Sequence, residues 1–312
     1  MTSNTSRRDN RSPVTAGGPR LVVLLPYLWL LLFFLVPFAI VLRISVSQPV
    51  VAQPPYLPLL DLTQGLQGIG AFVSQLTLET YALLFTDVIY MFSYFKSVMV
   101  AAVSTALLLL IGFPLAYAMA RAPRRWQPIL VMLIILPFWT SFLIRIYAWI
   151  NILQHDGLLN DLLLALGIIS QPVVWLSTDT AIYIGVVYSY LPFMALPLYA
   201  VLEKQDESLL EAAADLGCRR WQAFWLVTVP LAMRGVFAGS LLCFIPITGE
   251  FVIPDLLGGS DSMMIGQTLW VEFFGNRDWP VAAALAVVLL AVLVVPLTLY
   301  ERLQQRELEG RR

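Results

Sequence analysis

Charge is scarce in this chain of 312 residues: acidic and basic side chains together make up 12% of it, against 59% apolar residues. Mean hydropathy is +0.79. That balance excludes an ordinary soluble domain. The net charge of −1 offers no basic field for nucleic acid. Cysteine is nearly absent. Cys218 lies in a polar stretch and Cys243 inside an apolar run, so a disulfide is not expected, and neither has metal-ligand neighbours. The single histidine, His155, excludes motifs that need two, such as HExxH; in the short loop QHDGLLN it reads as a plain loop residue. Lysine is rarer than arginine, and Lys96 follows Phe95 while Lys204 follows Glu203. Neither can be the phosphate-loop lysine, which follows glycine and precedes Ser or Thr. Energy from ATP would therefore have to come from a partner. No G-x-S-x-G nucleophile elbow is present either.

What the chain has in abundance is long apolar runs. Residues 1–20 are rich in Ser, Thr, Arg, Gly and Pro and read as a disordered tail. Leu21–Leu42 is long enough to cross a hydrocarbon core of ~30 Å and too long for a signal-peptide core of roughly 7–15 residues. Residues 43–95 read as a connection, loop-like at first and amphipathic from about Leu78 to Phe95, where it is expected to lie along the membrane surface. A core of five further spans occupies 96–302: Lys96–Met119, Pro128–Leu153, Ala181–Val201, Met233–Ile253 and Val281–Tyr300, followed by a tail at 303–312. The expectation is an all-α membrane protein with six transmembrane helices. Basic residues set its orientation. Arg7, Arg8, Arg11 and Arg20; Arg121, Arg124 and Arg125; Lys204, Arg219, Arg220 and Arg234; and Arg302, Arg306, Arg311 and Arg312 account for fifteen of the nineteen. Both termini and the polar loop 203–230 are thus expected in the cytoplasm, and 43–95 outside.

That polar loop, LEKQDESLLEAAADLGCRRWQAFWLVTVP, interrupts the apolar pattern. Ser208 and Glu211 have capping-box spacing, Ala212, Ala213, Ala214 and Leu216 favour a helix, and Gly217 stands where a C′ glycine belongs. Leu209, Ala213 and Leu216 form an apolar stripe, and a second short helix, about Trp221–Val227, is expected to end before Pro230. The series Glu211-Ala212-Ala213, Asp215-Leu216-Gly217 and, nine residues on, Val227-Thr-Val-Pro230 resembles the EAA motif of ABC importer permeases. In that family the motif is the cytoplasmic coupling helix that docks on the ATPase; Val227 and Val229 are more often Ile and Leu there. The resemblance assigns ATPase coupling to Glu211, Ala212, Ala213, Asp215, Leu216, Gly217 and Pro230, with Arg219 and Arg220 as rim contacts.

Ionisable residues at membrane depth are costly and usually functional. Counted from the cytoplasmic ends of their spans, Arg145 and Glu250 both stand roughly 25 Å up. Equal depth permits an ion pair between them. Alternatively Glu250 faces a pathway and receives a cation, with Asp255 just beyond it. Aromatic residues crowd the same half, among them Trp139, Tyr147, Tyr188, Tyr190 and Trp270, with Glu272 nearby. An aromatic belt explains most of them. Aromatic faces combined with carboxylates also suit a flexible organic cation.

From Glu211 onward the chain, including GEFVIPDLLGG, MIGQTLW and NRDWPVA, resembles the permeases of polyamine importers, the putrescine-type permeases in particular; LPFWTSFLIRIYAWI and YSYLPFMALPLYAVLEKQD extend the likeness upstream to Lys96. This resemblance implies the type I ABC importer architecture in a bacterial inner membrane and alternating access driven by ATP. It also implies a different sister permease, two ATPase subunits that bind the ATP and magnesium, and a periplasmic polyamine-binding protein. No cofactor is expected in this chain, and no enzymatic activity. The residues by themselves leave open the same permease class with another cargo (an amino acid, a ferric complex or an oxyanion), and a secondary transporter, for which neither a proton relay nor inverted repeats are evident.

Overall fold

A computed structural model describes residues 18–59 and 74–309. The chain is helical almost throughout: α1 Gly18–Leu30, α2 Val36–Ser45, α3 Glu79–Thr86, α4 Val88–Ala120, α5 Gln127–Ile135, α6 Phe142–Leu153, α7 Leu158–Ala165, α8 Asp179–Leu202, α9 Ser208–Asp215, α10 Arg220–Ala223, α11 Val229–Thr248, α12 Val252–Leu257, α13 Ile265–Trp270 and α14 Trp279–Glu309. The one sheet among the described residues is a two-stranded antiparallel pairing of Gln48–Pro49 with Tyr56–Leu57.

Among the described residues, four helices are long and apolar enough to cross a membrane: Leu24–Ser45, Val88–Ala120, Asp179–Leu202 and Arg220–Thr248. The pair Gln127–Trp139 and Phe142–Leu153 passes together as a fifth, bent by 89°. The sixth expected span corresponds to the apolar stretch Trp279–Val294, which is shorter. α14 then runs on to Glu309, into the stretch expected as a tail.

Several boundaries move for identifiable reasons. The amphipathic segment expected at Leu78–Phe95 divides. Asp87 turns the backbone to an extended conformation, and its carboxylate accepts the Ile89 N–H at 2.8 Å, so the second span starts at Val88 and runs for 33 residues, about 50 Å. Only α3 remains a separate short helix. The helix expected to stop before Pro230 does not stop. A π-helical turn, Phe224–Thr228, joins α10 to α11 into one helix of 29 residues. Proline removes one N–H and clashes with the carbonyl four residues back, here Leu226, which lies in the widened turn. The same device precedes Pro37, whose position minus four, Phe33, lies in the π turn Leu31–Leu35. The span expected as Met233–Ile253 ends at Thr248, and Ile253 belongs to α12. Residues 1–17, 60–73 and 310–312, with most of the predicted N-terminal tail and the loop glycines 65, 68 and 70, lie outside the described residues, while residues 18–20, expected as the end of that tail, open α1.

The core is built by α4, α8 and α11, with α6 and α12 against them. Small residues let the backbones close in, as membrane helices require. A Cβ on Gly112 of α4 would stand 2.9 Å from Met194 Cγ of α8, and one on Gly239 of α11 would stand 2.9 Å from the same methionine's Sδ. Met194 therefore fills the space between three helices. α13 is pinned to α4 by two hydroxyls: Ile265 N–H donates to Ser97 Oγ at 2.7 Å, and Thr268 Oγ1 bonds Ser93 Oγ at 3.0 Å.

Candidate coupling and pathway site

Two regions at opposite ends of the bundle carry the candidate residues. At the first, α8 and α11 are joined by the hairpin 203–228. Its helix, α9, starts at Ser208, but the capping box expected from Ser208 and Glu211 is not formed. Asp206 takes over: its carboxylate accepts the Ser208 N–H at 3.0 Å. That main-chain bond and the Ser208 hydroxyl hold the Asp206 carboxyl below the usual carboxylate range. At the other end Gly217 adopts φ +86°, Gly217 N–H donates to Ala214 O at 2.9 Å and Cys218 N–H to Ala213 O at 3.0 Å. These two bonds are a Schellman cap, the role the sequence predicts for this glycine.

The expected apolar stripe is split. Ala213 faces inward at 8% exposure, while Leu209 is half-exposed and Leu216 stands out at 86%. Leu216 is the C-cap residue, so the turn at Gly217 rotates it off the helix face. Glu211, Ala212, Asp215, Gly217 and Pro230 are exposed as well. A cavity of about 430 Å³ lies behind α9, lined by Leu210, Glu211, Ala214, Phe224 and Tyr117 among others. The hairpin is held to the end of α4. Phe224 meets Phe113 and Tyr117 edge-on at 5.6 Å, and Arg121 Nη1 pairs with Glu207 Oε1 at 2.8 Å; within the hairpin, Gln205 Nε2 donates to Thr228 O at 3.2 Å.

At the opposite end α11 breaks at Gly249 before α12. Glu250 sits in the break, 9% exposed. The Tyr190 hydroxyl donates to its Oε2 at 2.5 Å, and the N–H groups of Val252 and Ile253 donate to Oε1 at 3.1 and 3.4 Å. The ion pair with Arg145 is not made. Arg145 lies instead with its guanidinium carbon 4.9 Å from the Phe138 ring and 5.7 Å from the Phe142 ring, and its buried Nε has no hydrogen-bond partner. The cause is the 89° bend, which invalidates a depth count along a straight helix. Rings connect the two charges: Phe138 to Phe193 at 5.3 Å, and Phe193 to Tyr190 at 5.9 Å.

The other pathway candidates scatter around this centre. Trp270 stacks on Phe251 at 4.7 Å, next to Glu250 in the chain. Asp255 accepts from Gln267 Nε2 at 3.1 Å. Glu272 accepts from Tyr90 Oη at 3.0 Å and from Asn276 at 2.9 Å. Tyr188 packs against Trp149 at 5.4 Å, and Trp139 and Tyr147 are exposed. Among the described residues no ring contact or hydrogen bond joins Trp139, Tyr147 or Tyr188 to Glu250, and no group of three or more His, Cys, Asp or Glu side chains is placed to hold a metal. Sequence reasoning missed Phe138 and Phe193, the Arg121–Glu207 pair, and Lys96, which pairs with Asp179. Lys96 carries a signal in retrospect: it is one of two lysines, set at the start of an apolar run.

Bent and broken spans around a buried carboxylate, with an exposed capped helix between two spans, define a membrane transport component that works with other chains. The chain belongs to the family of binding-protein-dependent transport system inner membrane components, whose sequence model matches residues 112–308. Its curated relatives are more specific. It is 37% identical over 283 residues to the spermidine/putrescine transport system permease protein PotB of Haemophilus influenzae, covering 91% of this chain and 93% of that one. It is 42% identical over 226 residues to PotB of Escherichia coli K12, covering 72% and 82%. The molybdenum transport permease ModB of Mycobacterium bovis is 31% identical over 64% of this chain and 75% of its own. A crystal structure of a bacterial ABC transporter that imports the polysaccharide alginate superposes with a TM-score of 0.67 at 15% identity, over 92% of this chain and 94% of that one. That likeness speaks for the fold.

Proposed function

We propose that this chain is the permease subunit of an ATP-driven importer of polyamines such as putrescine and spermidine, lining half of the translocation pathway in a bacterial inner membrane. The observation that carries this reading is the 37–42% identity to polyamine permeases over most of the chain. A buried, tyrosine-bonded carboxylate flanked by aromatic rings supports it, because an organic cation is attracted by both. Both termini and the hairpin are cytoplasmic in this reading, and the Glu250 end faces outward. A different permease subunit supplies the other half of the pathway. Two ATPase subunits bind ATP and magnesium and engage the exposed face of α9, and a periplasmic polyamine-binding protein delivers the cargo. Nucleotide closure drives α9, the joined α10–α11 helix carries the motion to the break at Glu250, and the pathway alternates its access.

The test is uptake by the assembled importer in proteoliposomes with ATP inside. Labelled spermidine or putrescine should accumulate with ATP and stay insensitive to collapse of the proton gradient. Uptake driven by a proton gradient without ATP would assign the chain to secondary transport. Competition by molybdate, an amino acid or a ferric complex, with none by polyamines, would assign it another cargo, as the molybdenum relative illustrates.

A further inference from the structure

Lys96 and Asp179 mark a second carboxylate site that no pathway candidate includes. Asp179 opens α8 at the same end of the bundle as Glu250, and its two oxygens have different partners. Oδ2 takes the Lys96 ammonium at 2.5 Å and Oδ1 takes the Ser262 hydroxyl at 2.7 Å. The Asp179 side chain is nearly half-exposed, whereas that of Lys96 is largely covered. The residues beside this contact wall a cavity of about 480 Å³: Val88, Ile89, Phe92 and Ser93 from α4, and Ser260, Asp261 and Met263 from the loop that carries Ser262. Ser93 is one helical turn from Lys96, and Asp261 and Met263 flank Ser262. The walls are mainly apolar, with one further carboxylate, Asp261.

The Lys96 side chain is a primary ammonium on a four-carbon stem, chemically the end of a diamine. A carboxylate that already holds such a group, with a hydroxyl fixing its second oxygen, has the donor and acceptor geometry for any alkylammonium. The adjoining apolar cavity provides space for methylene groups. We infer that Asp179 and Ser262 form an alkylammonium subsite at the outer mouth of the pathway, occupied at rest by Lys96, and that an arriving polyamine displaces Lys96 to bind there before reaching Glu250. The inference rests on the polyamine reading. In the resting state Lys96 neutralises the mouth; on displacement its own charge moves away and the cargo takes its place. In the exchange one ammonium replaces another on the same oxygen.

The alternative role for the pair is a staple holding α4 to α8, and the two roles predict different behaviour for its two members. In the reconstituted importer, transport is measured against the concentration of polyamine-loaded binding protein. As a subsite, Lys96→Met removes a competitor: transport persists, with half-saturation lowered about two- to fivefold. Asp179→Asn removes the acceptor charge, and transport falls about tenfold or more while assembly with the ATPase and its hydrolysis persist. Asp179→Glu recovers part of the loss. Equal loss in Lys96→Met and Asp179→Asn, with recovery in the Lys96→Asp/Asp179→Lys exchange, would overturn the subsite in favour of the staple. Copurification with the ATPase checks that each variant is folded. Absence of ATP-dependent polyamine uptake by the unaltered importer would remove the polyamine reading itself, which keeps the two failures apart.

Discussion

The two ends of this molecule are finished to different degrees. At the Glu250 end the carboxylates are paired within the chain, although the buried Arg145 Nε and Gln267 Oε1 are not. Glu250 has Tyr190 and two N–H donors, and Asp179 has Lys96 and Ser262. Asn160, fully buried, bonds His155 O and Val173 O through its nitrogen and accepts from Val173 N–H and Trp175 Nε1. At the hairpin end the contacts are few: one exposed ion pair, one side-chain bond to a carbonyl, and edge contacts to Phe224. Leu209, Leu216 and Trp221 stand in the open there. A carboxylate bonded within its own chain is held in place, as a pathway that must position a cation requires. An end with apolar residues outside and a rigidly capped helix offers a surface for the proposed ATPase contact.

Four substitutions can break or sharpen this contrast. The largest effect is expected from Gly217→Asp. A side chain at φ +86° is strained by ~1–2 kcal/mol, and the aspartate puts a new charge at the proposed ATPase contact. A Cβ at this position meets nothing within 4 Å, so folding and membrane abundance should survive while polyamine uptake is lost. Gly217→Asn, which tolerates the left-handed conformation, should retain most uptake. Uptake assays beside immunoblots of membranes decide between these outcomes.

Glu250→Gln comes next. The amide oxygen can still accept from the Val252 and Ile253 N–H groups while the amide NH2 donates to the Tyr190 hydroxyl oxygen, so the break is kept while the charge is removed. Diamine uptake should fall about tenfold with normal membrane abundance, since a charge-assisted contact contributes roughly 1.5–3 kcal/mol. Loss of the protein from the membrane would show Glu250 to be structural. Arg121→Glu should lower uptake about two- to fivefold by placing like charges at the root of the hairpin, and Glu207→Arg in the same chain should restore it. Uptake per ATP hydrolysed is the readout. The smallest effect separates two neighbours. Asp206→Ala should reduce the protection of α9 amides in hydrogen exchange more than Ser208→Ala does, because the main-chain bond belongs to Asp206.

The legibility of the sequence follows the same division. Gly217 is readable because a helix stop is a local event: chirality limits which residues tolerate a positive φ, and the cap involves six consecutive residues, Ala213 to Cys218. The capping side chain of α9 is Asp206 where the sequence points to Ser208, because Asp206, Ser208 and Glu211 offer competing caps of similar strength. Pro230 was taken for a terminus because the π turn that absorbs it depends on Phe224 packing against α4, a contact more than a hundred residues away in the chain. The Arg145–Glu250 pairing failed for a related reason. Depth along a span can be counted only if the span is straight, and the bend after Trp139 turns the Arg145 helix aside. Glu250 itself was evident as a carboxylate in an apolar run; its partner Tyr190 came from another span and needed the fold.

In the proposed importer the hairpin end gains its contacts from the ATPase, whereas the Glu250 carboxylate is held by bonds within its own chain. Hydrogen exchange on the full importer, with and without its ATPase subunits, tests this most directly. Amides of residues 206–217 should become strongly protected when the ATPase is present, with little change in the Glu250 segment, 249–262. Equal exchange of 206–217 in both states, or protection confined to 249–262, would contradict the account.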